Sequence, residues 1–172
     1  KDLLYNGAKQ PAHPVATLRL VNDTGLTLER GPVTVIENGE YVGEAILPFT
    51  AASAELIVPY AVELSMKVGE ETETRMEHYR LNIKGAYLQF EIWTIPSVRY
   101  LVANKTNKEQ TILIEHQRHP GHELFDTQAP RETVEDFYRF QLTIPAHSEK
   151  TLRVQERKLL TRHEELQKQS YE

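Results

Sequence analysis

The chain has 172 residues, a formal net charge of −5 and no cysteine. That length suits one good-sized domain or two lobes of roughly 80 residues, and folding at this size buries about 70% of the unfolded surface, so the core needs no staple. Disulfides, thiolate metal sites and cysteine nucleophiles are excluded, the lack of a basic stripe argues against nucleic acid, and no apolar run approaches the ~20 residues of a membrane-spanning helix.

The chain opens on Lys1 rather than Met, which suggests an excised or processed piece of a longer protein. Residues 1–14 form an extended lead. Asn22-Asp23-Thr24-Gly25 ends the first strand that follows. GPVTVIE and EYVGEAILP flank Asn38-Gly39, and Asn-Gly accepts positive φ at both central turn positions, so a hairpin is expected there. Leu47-Pro48 leads through a small-residue loop into the strand Glu55-Leu56-Ile57-Val58.

In Val62–Val68, Val62, Leu64, Met66 and Val68 alternate with Glu63, Ser65 and Lys67, the period of a half-buried strand. The acidic run Glu70-Glu71-Thr72-Glu73 lacks the spacing and glycine of a calcium loop, and a solvated loop is expected. Lys84-Gly85 divides two further strands. In Ala86–Thr94, Leu88, Phe90 and Ile92 oppose Tyr87, Gln89, Glu91 and Trp93.

Asn104-Lys105-Thr106-Asn107 ends another strand, and Tyr138, Phe140, Leu142 and Ile144 alternate in a later one. Ile144-Pro145, a small turn and Thr151-Leu152-Arg153-Val154 echo the earlier Leu47-Pro48 corner, a weak sign of two lobes. These are placed at residues 15–78 and 79–156. From Gln155 the composition turns to good helix formers with a thin stripe of Leu159, Leu160 and Leu166, so 157–172 is expected as a helical or frayed tail. About ten to twelve short strands with one wet face each make an antiparallel β-sandwich, or a pair of them.

Three stretches, GPVTVIENGEYVGEAILP, EHQRHPGHEL and ETVEDFYRFQLTIPAHSEKTLRV, resemble the C-terminal β domain of bacterial mucoidy-inhibitor-like proteins, a family of uncharacterised function. The resemblance covers most of residues 16–156, and its motifs are structural. It implies a bacterial source and an all-β, immunoglobulin-like architecture, and it carries no catalytic residues across. His119 and His122 within the turn depart from the family pattern.

The stretch Glu115 to Asp126 (EHQRHPGHELFD) holds three of the seven histidines. Pro120-Gly121 fits the centre of a type II turn, which brings the α-carbons of His119 and His122 within ~7 Å. His116, His119 and His122 are therefore candidate metal ligands, with Glu115, Glu123 or Asp126 as a carboxylate and hydrolysis as the chemistry an open zinc position allows. The competing expectation is a polar turn, with His116 facing the core beside Ile112 and Ile114, because an open loop holds ligands loosely.

Tyr87 and Trp93 share a strand face, and exposed together they form a platform for a protein partner or a sugar. Burial of that face at an inter-lobe or inter-domain contact is the alternative. Glu132, Glu135 and Asp136 lie before the Tyr138 strand, but nothing in the sequence marks one as desolvated, as acid/base work requires. No G-x-S-x-G, G-x-G-x-x-G or P-loop occurs, so no cofactor is expected.

The expectation is a non-catalytic sandwich module for scaffolding or protein–protein interaction. Its partner would be another protein or other domains of the same parent chain, bound through Tyr87 and Trp93 or an edge strand. A metal-binding or metal-dependent hydrolytic domain at the histidine turn is the second expectation, and carbohydrate binding through Tyr87 and Trp93 the third.

Overall fold

A computed structural model describes residues 1–165. Every element in this span is a strand: β1 (Asp2–Tyr5), β2 (Val15–Val21), β3 (Gly31–Glu37), β4 (Glu40–Leu47), β5 (Glu55–Val62), β6 (Met66–Lys84), β7 (Tyr87–Asn104), β8 (Gln110–Gln117), β9 (Glu123–Leu124), β10 (Glu132–Thr133), β11 (Phe137–Ile144) and β12 (Ser148–Glu165). They form a six-stranded sheet in the order β10-β11-β8-β1-β2-β5, a four-stranded sheet in the order β6-β7-β12-β9, and the two-stranded hairpin β3-β4.

The described chain divides into two compact units that interleave along the sequence. The first takes Lys1–Glu70, Tyr100–Gln117 and Ala129–Leu152. The second takes Glu71–Arg99, Arg118–Gln128 and, of the described residues, 153–165. A division between residues 78 and 79 falls inside β6.

The first unit is sandwich-like. Period-2 alternation turns Leu3, Tyr5, Ile112, Ile114, Phe140 and Ile144 inward, and Tyr100 of β7 meets Tyr5 edge to face at 6.4 Å. Met66, Val68, Val102 and Leu152 complete the buried set. Pairing is antiparallel except between β1 and β8, which run parallel with Leu3 opposite Ile112 and Tyr5 opposite Ile114. The four residues of β1 thus lie between β8 and β2 in the middle of the sheet.

The Asn38-Gly39 hairpin forms as expected, with φ of 53° and 85° at its two central residues. Three expectations are corrected. Val62–Val68 is not one strand: β5 ends at Val62 and the chain turns through Glu63, Leu64 and Ser65. The Glu63 carboxylate accepts the Ser65 backbone N–H at 3.1 Å and the Ser65 hydroxyl, a local side-chain bond that competes with the ladder, and Leu64 is left exposed. The acidic run Glu70–Glu73 is strand, inside β6.

The expected helical tail is also strand as far as it is described, because β12 continues to Glu165. Leu152, Val154 and Glu156 of that strand are buried at period 2, and β12 lies between β7 and β9. Ladder bonds on two sides outweigh a helix propensity of a few tenths of a kcal/mol per residue (about 0–0.7). Residues 166–172 of that tail lie outside the described residues.

Candidate functional site

In the second unit, polar and aromatic side chains gather where β12 pairs with the short β9. Glu156 stands opposite Leu124 and Arg157 opposite Glu123, and the Phe125 N–H donates to the Gln155 carbonyl at 2.9 Å. This register brings Arg157 against two rings at once. Its guanidinium carbon is 4.3 Å from the Trp93 centroid and 4.6 Å from that of Phe125. The Arg157 Nε donates to Glu123 at 2.8 Å. A guanidinium stacked on aromatic faces keeps its in-plane donors for a carboxylate.

Trp93 is half-buried, packed at 5.8 Å against Tyr79 as well as against Arg157. Tyr87 keeps 49% of its surface exposed. The two expected platform residues thus have different surroundings, because Arg157 covers Trp93. Arg157, Phe125 and Tyr79 carry no local sequence signal for this role; they meet Trp93 only through pairing between distant segments.

The three candidate metal ligands are divided between the units. His116 belongs to the first. It is buried, with Nδ1 2.8 Å from the Tyr100 hydroxyl and the two rings edge to face. His119 and His122 belong to the second, where their ring centroids are 5.4 Å apart. The Pro120-Gly121 turn forms between them: Gly121 has φ 73° and the His122 N–H donates to the His119 carbonyl at 3.1 Å. The fully buried Glu156 accepts the His119 backbone N–H at 3.2 Å and its ring Nδ1–H.

The first unit holds a buried charge network. Glu115 accepts the Arg139 Nε at 3.1 Å and Nη2 at 2.9 Å, and Asn6 Nδ2 at 2.9 Å, with the Lys9 ammonium at 3.7 Å. Arg139 also donates to Glu132 at 3.0 Å, which Arg19 reaches at 3.1 Å. Burial pushes the Glu132 carboxyl up, but hydrogen bonds from Arg139 and Arg19 outweigh it and hold the group below the usual carboxylate range. It is therefore ionised at neutral pH and has no proton to donate as a general acid. A cavity of 650 Å³ lies beside this network, with Leu4, Ile57 and Pro59 as apolar lining and Glu115 at its polar end. The Glu115 oxygens are already saturated, so that end offers a neutralised wall.

The acidic run also has separate partners. Glu70 accepts the Tyr5 hydroxyl at 2.8 Å, and Glu71 pairs with Arg99, so the two carboxylates do not act as one cation site. No protein family, curated protein or solved structure matches the chain.

Proposed function

We propose that the chain is an immunoglobulin-like, non-catalytic module of a larger bacterial protein of the mucoidy-inhibitor-like type, and that it acts by binding protein. The observation that carries this reading is β6. This strand of 19 residues stands at the end of the four-stranded sheet, and among the described residues no strand pairs with its outer edge. Along its second half Met76 is 69% exposed, Leu81 58% and Ile83 69%.

A long edge with unpaired backbone groups is a template for another strand, and native proteins blunt such edges unless they are used. The side chains supply specificity while the backbone supplies affinity. The occupant of this edge is an extended segment of a partner protein or of another domain of the parent chain, added alongside β6. Tyr87, at the start of β7, extends the same ribbon.

The test is affinity capture with the intact chain as bait, compared with Leu81→Lys/Ile83→Lys. The expected result is a protein retained by the wild type and lost from the variant, at unchanged melting temperature. A wild-type bait that retains nothing the variant does not also retain overturns the reading.

A further inference from the structure

The turn His119-Pro120-Gly121-His122 carries an arrangement that edge pairing does not use. Each imidazole has one nitrogen already tied. Nδ1 of His119 meets the buried Glu156 carboxylate, which also accepts the His119 backbone N–H at 3.2 and 3.3 Å. An ionised carboxylate only accepts, so Nδ1 holds the proton and the lone pair of the neutral ring is on Nε2. Nδ1 of His122 lies 3.1 Å from the Pro120 carbonyl, which also only accepts. His122 therefore has the same tautomer.

Histidines that ligate metals almost always donate their other ring N–H to a carboxylate or a backbone carbonyl, which fixes the tautomer and raises the basicity of the ligating nitrogen. The turn has both versions, one on each ring. The spacing also fits. With a metal–nitrogen distance of about 2.0–2.1 Å and the ring centroid about 1.2 Å behind the nitrogen, two imidazoles at a tetrahedral angle hold their centroids about 5 Å apart. The observed separation is 5.4 Å.

We propose that this turn binds one divalent late-transition cation, of the zinc or copper class that imidazole suits. The Nε2 atoms of His119 and His122 are the protein ligands, and water completes the shell. Glu156 is a positioning residue: it holds the His119 ring and its tautomer without touching the ion. Glu123 is not a ligand, because Arg157 holds it at 2.8 Å. His116 is not one either; it belongs to the first unit and is engaged with Tyr100.

The experiment titrates the tag-free chain with zinc chloride by calorimetry and follows the histidine ring nitrogens by NMR. Before zinc, His119 and His122 are expected to show the Nδ1–H tautomer. One equivalent of zinc should then shift the Nε2 resonances of these two rings, leaving His13, His78, His116, His147 and His163 in place. His122→Ala, on the surface of the turn, should lower the affinity at least tenfold with the melting temperature of the zinc-free chain unchanged. Glu156→Gln keeps both ligands and should lower the affinity by about 10–100-fold, the usual effect of losing an outer-sphere partner. The proposal is overturned if no one-equivalent binding is seen, if the shifts centre on other histidines, or if His122→Ala binds zinc as the wild type does.

Discussion

Tyr5 shows how much one buried hydroxyl can decide. Its ring is only 2% exposed, and its hydroxyl donates to Glu70 at 2.8 Å. Burial, that hydrogen bond and the negative charge of the Glu70 carboxylate all push the phenol above its ordinary value. A raised folded-state value means that its share of stability is complete below about pH 10 and is lost as pH rises from there toward the folded value. The unfolding free energy should therefore fall above pH 10 by up to about 1.4 kcal/mol per pH unit. In Tyr5→Phe that alkaline slope should shrink, at a cost of about 1 kcal/mol at neutral pH for the lost hydrogen bond. Urea unfolding between pH 8 and 11.5 measures both quantities, and an unchanged slope in the variant would assign it to another group.

Two asparagines act as plugs at the level of the strand ends. Asn22 follows β2, and its side-chain amide donates to the carbonyls of Leu26, Thr50 and Ala51 at 2.7–3.2 Å. Asn104 ends β7 and donates to Lys108, Ile144 and Pro145 at 2.8–3.1 Å. In each case the side-chain oxygen accepts from the threonine two residues on, Thr24 or Thr106, through both its N–H and its hydroxyl. Each plug ties its turn to the segment containing or following a proline corner, at Pro48 or Pro145. The echo between those two corners in the sequence thus extends to matching hydrogen bonds. Asn104→Asp keeps the shape but turns a donor toward three carbonyls. It should cost about 3 kcal/mol or more at neutral pH, because buried carbonyls lose their partner beside a new charge. The cost should shrink at acid pH as the carboxyl protonates. Chemical denaturation at pH 7 and pH 4 tests both, and a cost equal at the two would remove charge from the explanation.

Elements whose signal is local were legible in the sequence. The Asn38-Gly39 hairpin needs only two residues that tolerate positive φ. Tyr138, Phe140 and Ile144 reach the core because strand alternation alone sets their side. The turn at Glu63–Ser65 was hidden because its hydrophobic alternation is intact and a single carboxylate overrides it. The extension of β12 was hidden because helix-forming residues were held in a strand by neighbours far away in the chain. The Arg157 stack had no local trace for the same reason, whereas the histidine turn was visible as Pro-Gly between two histidines. Neither ring's tautomer could be read until Glu156 and the Pro120 carbonyl were in place.

At the scale of the whole molecule, the two units are threaded rather than consecutive. The central β1 of the six-stranded sheet pairs with β8, so Leu3 stands beside Ile112, and β11 arrives later still. A fragment ending at residue 78 lacks both β8 and β11, leaving β1 without its parallel neighbour and Tyr5 without Tyr100. Fragments 1–78 and 79–156 should each fail to give dispersed amide resonances when made alone. A folded 1–78 would show that the first unit does not need its later segments. Such non-local pairing also sets the tempo, since loop closure precedes the contacts that reward it, and folding on the millisecond-to-second scale or slower is expected. The exposed apolar edge of β6 is an aggregation hazard during that interval.

The asparagine plugs also bear on how the chain would behave in a secretory pathway. Asn22-Asp23-Thr24 and Asn104-Lys105-Thr106 both fit the N-x-S/T acceptor pattern for glycosylation. Both asparagines are only 2% exposed, and each amide nitrogen is committed to three carbonyls. In the folded molecule a transferase cannot reach them. A glycan could be attached only to a chain that had not yet closed these turns, and once attached it would keep them from closing. Sugar on either residue would therefore mark chains that the modifying enzyme reached before folding did.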